Sequence, residues 1–557
     1  MKIVEGSPPR TRYGTVAMDT EHFGLNPNQL HRPAGKLAAM TLTLDGETVY
    51  LLKSESQVEK ALTSVRACRW VMHNASFDLV HLRRWADIQP RSPDLLVDTM
   101  IWERILFSGW YLGFGLDDLS RRWLKKTLPK EVRKSFAEGE ELTSEQARYA
   151  CSDAAATWKI FQCQEVEVKA HRPDVEKIWS QIDAPALWAS LDFKGFILNV
   201  RKWKSLERRN RSRMNEIGAT LGFNPRSPQQ VKVALTKRRI EIPDTTEETL
   251  QKFAGDKVVD AILDYRKYAH RVSTYGLNLV EMVEEDGRVY CAYDVLGART
   301  GRMASDSPNM QNIPVRDTTE FRECFEAPKG GCLIDMDYGS QEPRIMAELS
   351  HDPRLVGYFR DGVDPHTETA RRVYHDPSIE KSDPRRRRAK AIFLGTEYGL
   401  TPNGLSARES IPVEEAEELI NEFFRAYPMI QHWITKTRSA SERTGYTETL
   451  YGRRMWLNLY TYKSRNHAIN HPCQGSAADM IKRALGLLYA KCPGKSFPVV
   501  AVVHDAIVLE ALTQLASKFF LKMGKEAMTQ AFEEMCPHIS INNLVDAKTG
   551  KNWGVIH

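Results

Sequence analysis

The chain has 557 residues, 42% hydrophobic and 27% charged, and its 78 Lys+Arg against 72 Asp+Glu give a formal net charge of +6. This length and balance predict a globular protein of about three to five domains and exclude disordered, collagen-like and coiled-coil classes. No apolar run approaches the ~18 residues of a membrane span, and the longest, Phe497 to Leu512, is broken by His504, Asp505 and Glu510. The nine cysteines are scattered with no CxxC pair, and no apolar leader follows Met1. The expectation is a cytoplasmic chain with reduced thiols, no zinc site and no membrane attachment.

Residues 1 to about 165 read as an α/β unit. Thr15 to Asp19 is a short apolar run ending in acid, and Glu21 follows on the same side of a strand. Lys36 to Leu44 and Glu47 to Leu52 flank Asp45-Gly46, a two-residue hairpin signal. Gln57 to Arg69 reads as helix and Trp70 to His73 as strand, followed by Asp78. Tyr149 and Asp153 have the i, i+4 spacing that puts both on one helix face. Clustered carboxylates repel unless a cation lies among them, and hard oxygens suit Mg²⁺. Two such ions can activate a water and steady a departing phosphate-ester oxygen, with Tyr149 orienting that water. The order and context of these segments resemble the DEDD-type 3′–5′ exonucleases with tyrosine in the third motif. The resemblance implies a ribonuclease-H-like fold and makes Asp19, Glu21, Asp78 and Asp153 metal ligands.

A polar stretch from Phe161 to Asp174 marks the expected boundary to a second unit. Gln181 to Ala269 reads as helical, and Arg201 to Arg213 holds seven Lys/Arg against one acid, Glu207. Asp286-Gly287 is a second hairpin signal. Arg299-Thr300-Gly301-Arg302 leads to a loop, Pro308 to Pro314, whose Gln311 and Asn312 can reach base edges. Cys332 to Asp337 reads as a strand ending in acid, with Glu342 and Arg344 at a helix start. Residues 340 to 440 are mostly helical. Within them Arg386, Lys390, Leu394 and Tyr398 step by four to form one stripe, cationic at its start and aromatic at its end, and Gly399 suits the helix C-terminus. Such a stripe can grip a triphosphate and stack on a base. Val499 to Val503 and Ile507 to Glu510 read as strands joined by a turn carrying His504 and Asp505. Asp337 and Asp505 then offer a second two-metal site.

This ordered set resembles the family A DNA polymerases, of which bacterial DNA polymerase I is the type. Asp337 to Arg344 resembles the first palm motif, Arg386 to Gly399 the fingers helix, and Val503-His504-Asp505 the second palm motif. Arg465 to Lys482 resembles the template–primer segment, and Gly550-Lys551-Asn552-Trp553 the C-terminal signature. The resemblance implies a multidomain α/β and α+β chain. A ribonuclease-H-like exonuclease domain at residues 1–170 precedes a right-hand polymerase at 171–557. Its thumb lies at about 185–290, its palm at about 291–350 and 440–557, and its fingers at about 351–440. It also implies DNA-templated DNA synthesis with 3′–5′ proofreading, driven by two Mg²⁺ at each site with Mn²⁺ as a substitute.

By the same resemblance Asp337 and Asp505 hold metal, and Arg386 and Lys390 bind the incoming dNTP, with Lys390 protonating the leaving group. Leu394 and Tyr398 lie near the nascent pair, and Glu342 crowds a ribose 2′-hydroxyl. Arg302, Gln311, Asn312, Gln474 and His504 touch the primer–template. Single-strand-binding, helicase/primase or processivity proteins are expected partners. Departures from the family pattern are Ala506 after His-Asp, where Glu is usual; Leu394, where an aromatic is common; Gly339-Ser340; and the placement of Arg465. They predict altered metal affinity or fidelity and altered dideoxynucleotide handling. Only 18 residues precede Asp19, which predicts no 5′-nuclease domain and a phage or prophage source. Competing readings are a nuclease whose second half only grips DNA, motivated by Ala506, a single-subunit RNA polymerase relative, and a non-catalytic scaffold.

Overall fold

The computed structural model describes residues 1–10, 14–25, 35–85, 88–129, 131–137, 141–314, 318–458 and 461–556. The N-terminal third builds one sheet from β1 (Lys2–Glu5), β2 (Thr15–Phe23), β3 (Lys36–Thr43), β4 (Thr48–Leu52), β5 (Arg69–Met72) and β6 (Leu96–Asp98). Their order is β1-β4-β3-β2-β5-β6: β2, β3 and β4 are antiparallel to one another, β1 adds in parallel to β4, and β5 and β6 add in parallel beyond β2. The β3–β4 hairpin turns where Asp45-Gly46 predicts. Asp45 Oδ1 accepts from the N–H groups of Glu47 (2.8 Å) and Thr48 (2.7 Å). Gly46 has φ +74°, and a Cβ there would lie 2.4 Å from Trp158 Cδ1. Both the backbone and the space demand glycine.

β2 runs four residues past Asp19, because Thr20 to Phe23 continue the ladder with β3. The predicted Gln57–Arg69 helix instead spans Glu55–Val65: Ser54 caps its start, and Arg69 opens β5. α1 (Ser144–His171) lies across β2 and β3 and opens on a capping box of Thr143 and Gln146. The expected boundary stretch is helical up to His171. Arg172 breaks the helix and Pro173 starts the next. Arg172 is buried, donates to Leu106 O (2.8 Å) and faces the Trp456 ring at 5.7 Å. The junction is therefore packed against later parts of the chain.

α2 (Val200–Leu221) packs along α3 (Lys257–Thr274), burying Trp203, Leu206 and Ile217 and leaving its basic residues in water. A second sheet follows from β7 (Cys332–Tyr338), β8 (Val499–Val503), β9 (Ala506–Ala511) and β10 (Val545–Gly550), antiparallel throughout in the order β8-β9-β7-β10. Met336 and Tyr338 of β7 are fully buried on one face, which fixes the acids Asp335 and Asp337 on the other. Around this sheet stand α4 (Gln341–Ser350), α5 (Pro365–Val373), α6 (Pro384–Glu397), α7 (Tyr462–Lys491) and α8 (Gln514–Met535). One apolar core runs from Val16 and Trp70 through Trp179 to Met336 and Phe532, joining both sheets. Among the described residues no helix is long and apolar enough to cross a membrane.

Candidate active sites and nucleic-acid contacts

In the N-terminal sheet, Asp19 and Glu21 alternate out of β2 toward α1, where Asp153 meets them. Carboxylate oxygens of these three lie within 4.8 Å of one another. Asp78 lines the same cavity of ≈ 690 Å³. Its Oδ1 accepts from Thr20 N–H (3.0 Å) and Thr20 Oγ1 (2.6 Å), which turn it toward the strand. Tyr149 stands one helical turn before Asp153, as the spacing predicts.

Burial, followed by the charges of Glu21, Asp78 and Asp153, pushes the Asp19 carboxyl well above its ordinary range. Burial and Asp153 raise Glu21 to about 8. Burial is also the main cause that lifts Asp78 to about 7 and Asp153 to about 6. Burial and then Asp153 push the Tyr149 phenol up. The opposing charge comes from Arg133, which lowers Asp19, Glu21 and Asp153 alike. Sequence reasoning missed Arg133, since nothing in its short helix, Glu131–Lys134, marks it. Asp19 Oδ2 and Asp153 Oδ1 are buried with no hydrogen-bond partner among the described residues. Orphaned buried carboxylate oxygens crowded by like charge fit a hard divalent cation.

The second cluster arises from strand register. Asp337 pairs with Ala506 on one side and Asp546 on the other, so all three side chains share a face. Asp505 occupies the β8–β9 turn, which His504 allows by taking a left-handed conformation (φ +58°). Burial and then Asp505, Asp335 and Asp546 raise Asp337 to about 7, and its Oδ1 is buried without a partner. These donors also fit a hard cation. Asp546 was missed because only the register places it there. It restores a carboxylate to the row from which Ala506 removes one.

The predicted stripe is real: Arg386, Lys390 and Leu394 lie on the outer face of α6, and Tyr398 caps it. Gly399 follows at φ +71°. Arg386 is not free, however. Its Nε and Nη2 donate to Asp364 at 2.7 and 3.1 Å. Lys390, by contrast, is exposed and makes no ion pair among the described residues. Behind it lies His366, absent from the sequence reading. Burial, with Lys390 and Arg386 adding to it against Asp364, lowers this imidazole to about 4.

Glu342 is half-buried near the stripe, and Arg302 Nη2 approaches its Oε1 at 3.3 Å. Gln474 Nε2 donates to the Tyr398 hydroxyl (2.9 Å). From Ala468 to Lys482 every residue of α7 is buried except Gln474. Most of the predicted template–primer segment therefore faces inward. Asp479 and Lys482 join Asp183 and Arg453 in a buried ionic cluster. Gln311 donates to Met303 O (3.2 Å), while the Asn312 side chain is exposed and its carbonyl accepts from Tyr275 (2.6 Å). All seven bases of Arg201–Arg213 are exposed. Lys202, Arg209, Arg211 and Arg213 pair with acids, leaving Arg201, Lys204 and Arg208 at i, i+3 and i+7 as one uncompensated stripe among the described residues.

The profile described as DNA polymerase family A matches residues 201–555, and one described as 3′-5′ exonuclease matches residues 9–168. The chain belongs to DNA polymerase family A. This family A chain is 30% identical over 456 residues to DNA polymerase I of Pseudomonas aeruginosa, covering 75% of the chain and 48% of that relative. It is 34% identical over 307 residues to thermostable DNA polymerase I of Thermus aquaticus, covering 53% and 36%. It thus spans about half or less of the length of these two curated relatives. In fold it resembles the polymerase domain of Pol1 from M. smegmatis, solved with DNA primer–template and dNTP. That match has a TM-score of 0.82 at 22% identity over 97% of this chain and 95% of the other.

Proposed function

We propose that the second sheet extends the 3′ end of a DNA primer with dNTPs chosen by template pairing, and that the first removes 3′-terminal nucleotides and so proofreads. The observation that carries this is a pair of separate carboxylate clusters, each on its own sheet and each with a buried carboxylate oxygen that has no donor among the described residues. Two divalent ions at each site, Mg²⁺ first and Mn²⁺ as a substitute, would supply the charge that activates the attacking oxygen and steadies the leaving one. Asp337 and Asp505 would hold them in the polymerase, and Asp19, Glu21, Asp78 and Asp153 in the exonuclease. Asp546 supports Asp337 from the next strand.

Tyr149 orients the attacking water. Lys390, exposed and without an ion pair among the described residues, meets the triphosphate and hands a proton to the departing pyrophosphate. Arg386 joins it, steered by Asp364. Leu394 and Tyr398 border the nascent base pair, and Glu342, pinned by Arg302, excludes a 2′-hydroxyl. Arg302, Gln311, Asn312, Gln474 and His504 hold the primer–template near its end, while Arg201, Lys204 and Arg208 track its phosphates. On this reading residues 1–170 are the exonuclease domain and 171–557 the polymerase, working in a cytoplasm beside single-strand-binding, helicase/primase or processivity proteins.

A gel of matched and mismatched primers, with and without dNTPs, tests the proposal. Wild type should extend the matched primer and trim the mismatched one first. Asp337→Ala or Asp505→Ala should abolish extension and spare degradation, and Asp19→Ala with Glu21→Ala should do the reverse. Degradation without any extension by wild type would replace this reading with that of a nuclease whose second half only grips DNA.

A further inference from the structure

Outside both carboxylate clusters, three side chains converge from two segments of the palm. Glu348 lies in the last turn of α4, His351 just beyond it, and His538 in the loop between α8 and β10. One ligand atom from each lies within 4.8 Å of the other two. The Glu348 side chain is only 7% exposed, while that of His538 is 67% exposed. Among the described residues the hydrogen bonds to Glu348 come from His538 alone: Nδ1 lies 2.7 Å from Oε1, and its backbone N–H donates to Oε2 at 3.2 Å.

His351 sits in a left-handed conformation (φ +50°), its N–H bonded to Ala347 O at 2.9 Å. This sharp end to α4 turns its ring against that of His538, with centroids 5.7 Å apart at 85°. The loop is held in place independently. Arg344, one turn before Glu348, donates to Ser540 O (2.6 Å) and Asn542 O (2.5 Å). The two segments are thus already fastened where the three groups meet.

We propose that Glu348, His351 and His538 bind a zinc-class transition-metal ion that staples α4 to the loop before β10. Two imidazoles and one carboxylate are a ligand set for Zn²⁺, Co²⁺ or Ni²⁺, whereas Mg²⁺ takes oxygens and keeps its waters. Zinc bonds of about 2.0–2.2 Å bring tetrahedral ligands to roughly 3.3 Å apart. The two imidazoles are exposed and can turn to that separation, the 2.7 Å His538–Glu348 contact opening to admit the ion, and water fills the fourth position. The cysteine spacing predicts no zinc site, and although Glu348 and His351 are three residues apart, the third ligand, His538, lies 187 residues further on, beyond the reach of a spacing rule. The inference does not depend on the catalytic reading, because none of the three residues belongs to either carboxylate cluster.

The test uses the full chain, stripped by chelator, loaded with Zn²⁺ in excess Mg²⁺ and desalted before metal analysis. His351→Asn is the suitable variant there, because asparagine tolerates φ > 0, and it is combined with His538→Ala. Wild type should retain one equivalent of zinc and gain thermal stability from it. Asp19→Asn/Glu21→Gln should retain the same equivalent, and the histidine variant should retain none and show no shift. Co²⁺ should give wild type the strong visible absorption of a low-coordinate site, absent from the histidine variant. Unchanged primer extension by that variant would confirm that it folds. Equal zinc in wild type and the histidine variant, or none in wild type, would overturn the proposal.

Discussion

Asp183, Arg453, Asp479 and Lys482 form a buried ionic cluster on which stability should depend. All four side chains are at most 1% exposed, and two acids balance two bases. Arg453 forks onto Asp183 with both bonds at 2.9 Å and reaches Asp479 at 2.8 Å. Lys482 bonds Asp183 and stands 3.9 Å from Asp479. Burial alone would raise the Asp183 carboxyl, but Arg453 and Lys482 overcome it and hold it low. Asp183→Asn leaves two buried cations facing one anion, and breaking such a pair costs about 3–5 kcal/mol. Adding Lys482→Met restores neutrality, so the double variant should return to within about 1 kcal/mol of wild type, since apolar replacement of a whole buried pair is often neutral. Burial and Arg453 already lower the Lys482 pKa, and loss of Asp183 lowers it further. The single variant's deficit should therefore shrink as pH rises and Lys482 sheds its proton. Urea unfolding followed by tryptophan fluorescence at pH 6 and pH 9 reads all three effects. A single variant as stable as wild type, or a double variant no better than the single, would refute the reasoning.

Glu21 and Asp19 have folded pKa values raised above their unfolded ones, so their favourable contribution is complete below the ordinary carboxylate range and is lost as pH rises, for Glu21 through about 8. The Tm gain from Mg²⁺ should accordingly grow between pH 5.5 and pH 8.5 and flatten in Asp19→Asn/Glu21→Gln; an equal gain at both pH values would count against a cation site. At Gly399, φ is +71° and a Cβ would come within 2.2 Å of Asn466 Oδ1. Gly399→Ala should impair primer extension while sparing degradation. Gly222→Ala, at φ +68° with open space around it, should cost only the roughly 1–2 kcal/mol of the left-handed backbone and leave both activities intact. Glu342→Ala removes a half-buried carboxylate held by Arg302 and should lower the preference for dNTPs over NTPs roughly 10–200-fold, read as the ratio of kcat/KM values; an unchanged ratio would assign selectivity elsewhere.

What the sequence made legible was local. Asp45-Gly46 turns a hairpin because two residues decide it. Asp19 and Glu21 share a face because strands alternate, and Tyr149 and Asp153 because helices repeat. The stripe from Arg386 to Tyr398 follows from the same helical arithmetic. What stayed hidden depends on chain segments meeting from far away. Arg453 lies 270 residues from Asp183, and nothing near Asp479 or Lys482 announces that they turn inward. Arg386 looks like a free phosphate ligand until α5 brings Asp364 beside it. Ala506 looks like a missing carboxylate until β10 sets Asp546 opposite Asp337.

The near-neutral total of +6 also changes meaning once the charges are placed. Acids gather at two places: Asp19, Glu21, Asp78 and Asp153 in one cavity, and Asp337 with its strand partner Asp546 and Asp505 of the neighbouring turn. Bases divide into two populations. Some are committed to acids, as Arg386 is to Asp364 and Arg209 to Glu320. Others, among them Lys390 and the Arg201–Lys204–Arg208 stripe, face solvent with no ion pair among the described residues. A polyanion responds to the second population alone, because an ion-paired base has little field left to offer and releases few counterions. The sum therefore understates the attraction at the surface, because it averages exposed bases with acids gathered into two clusters.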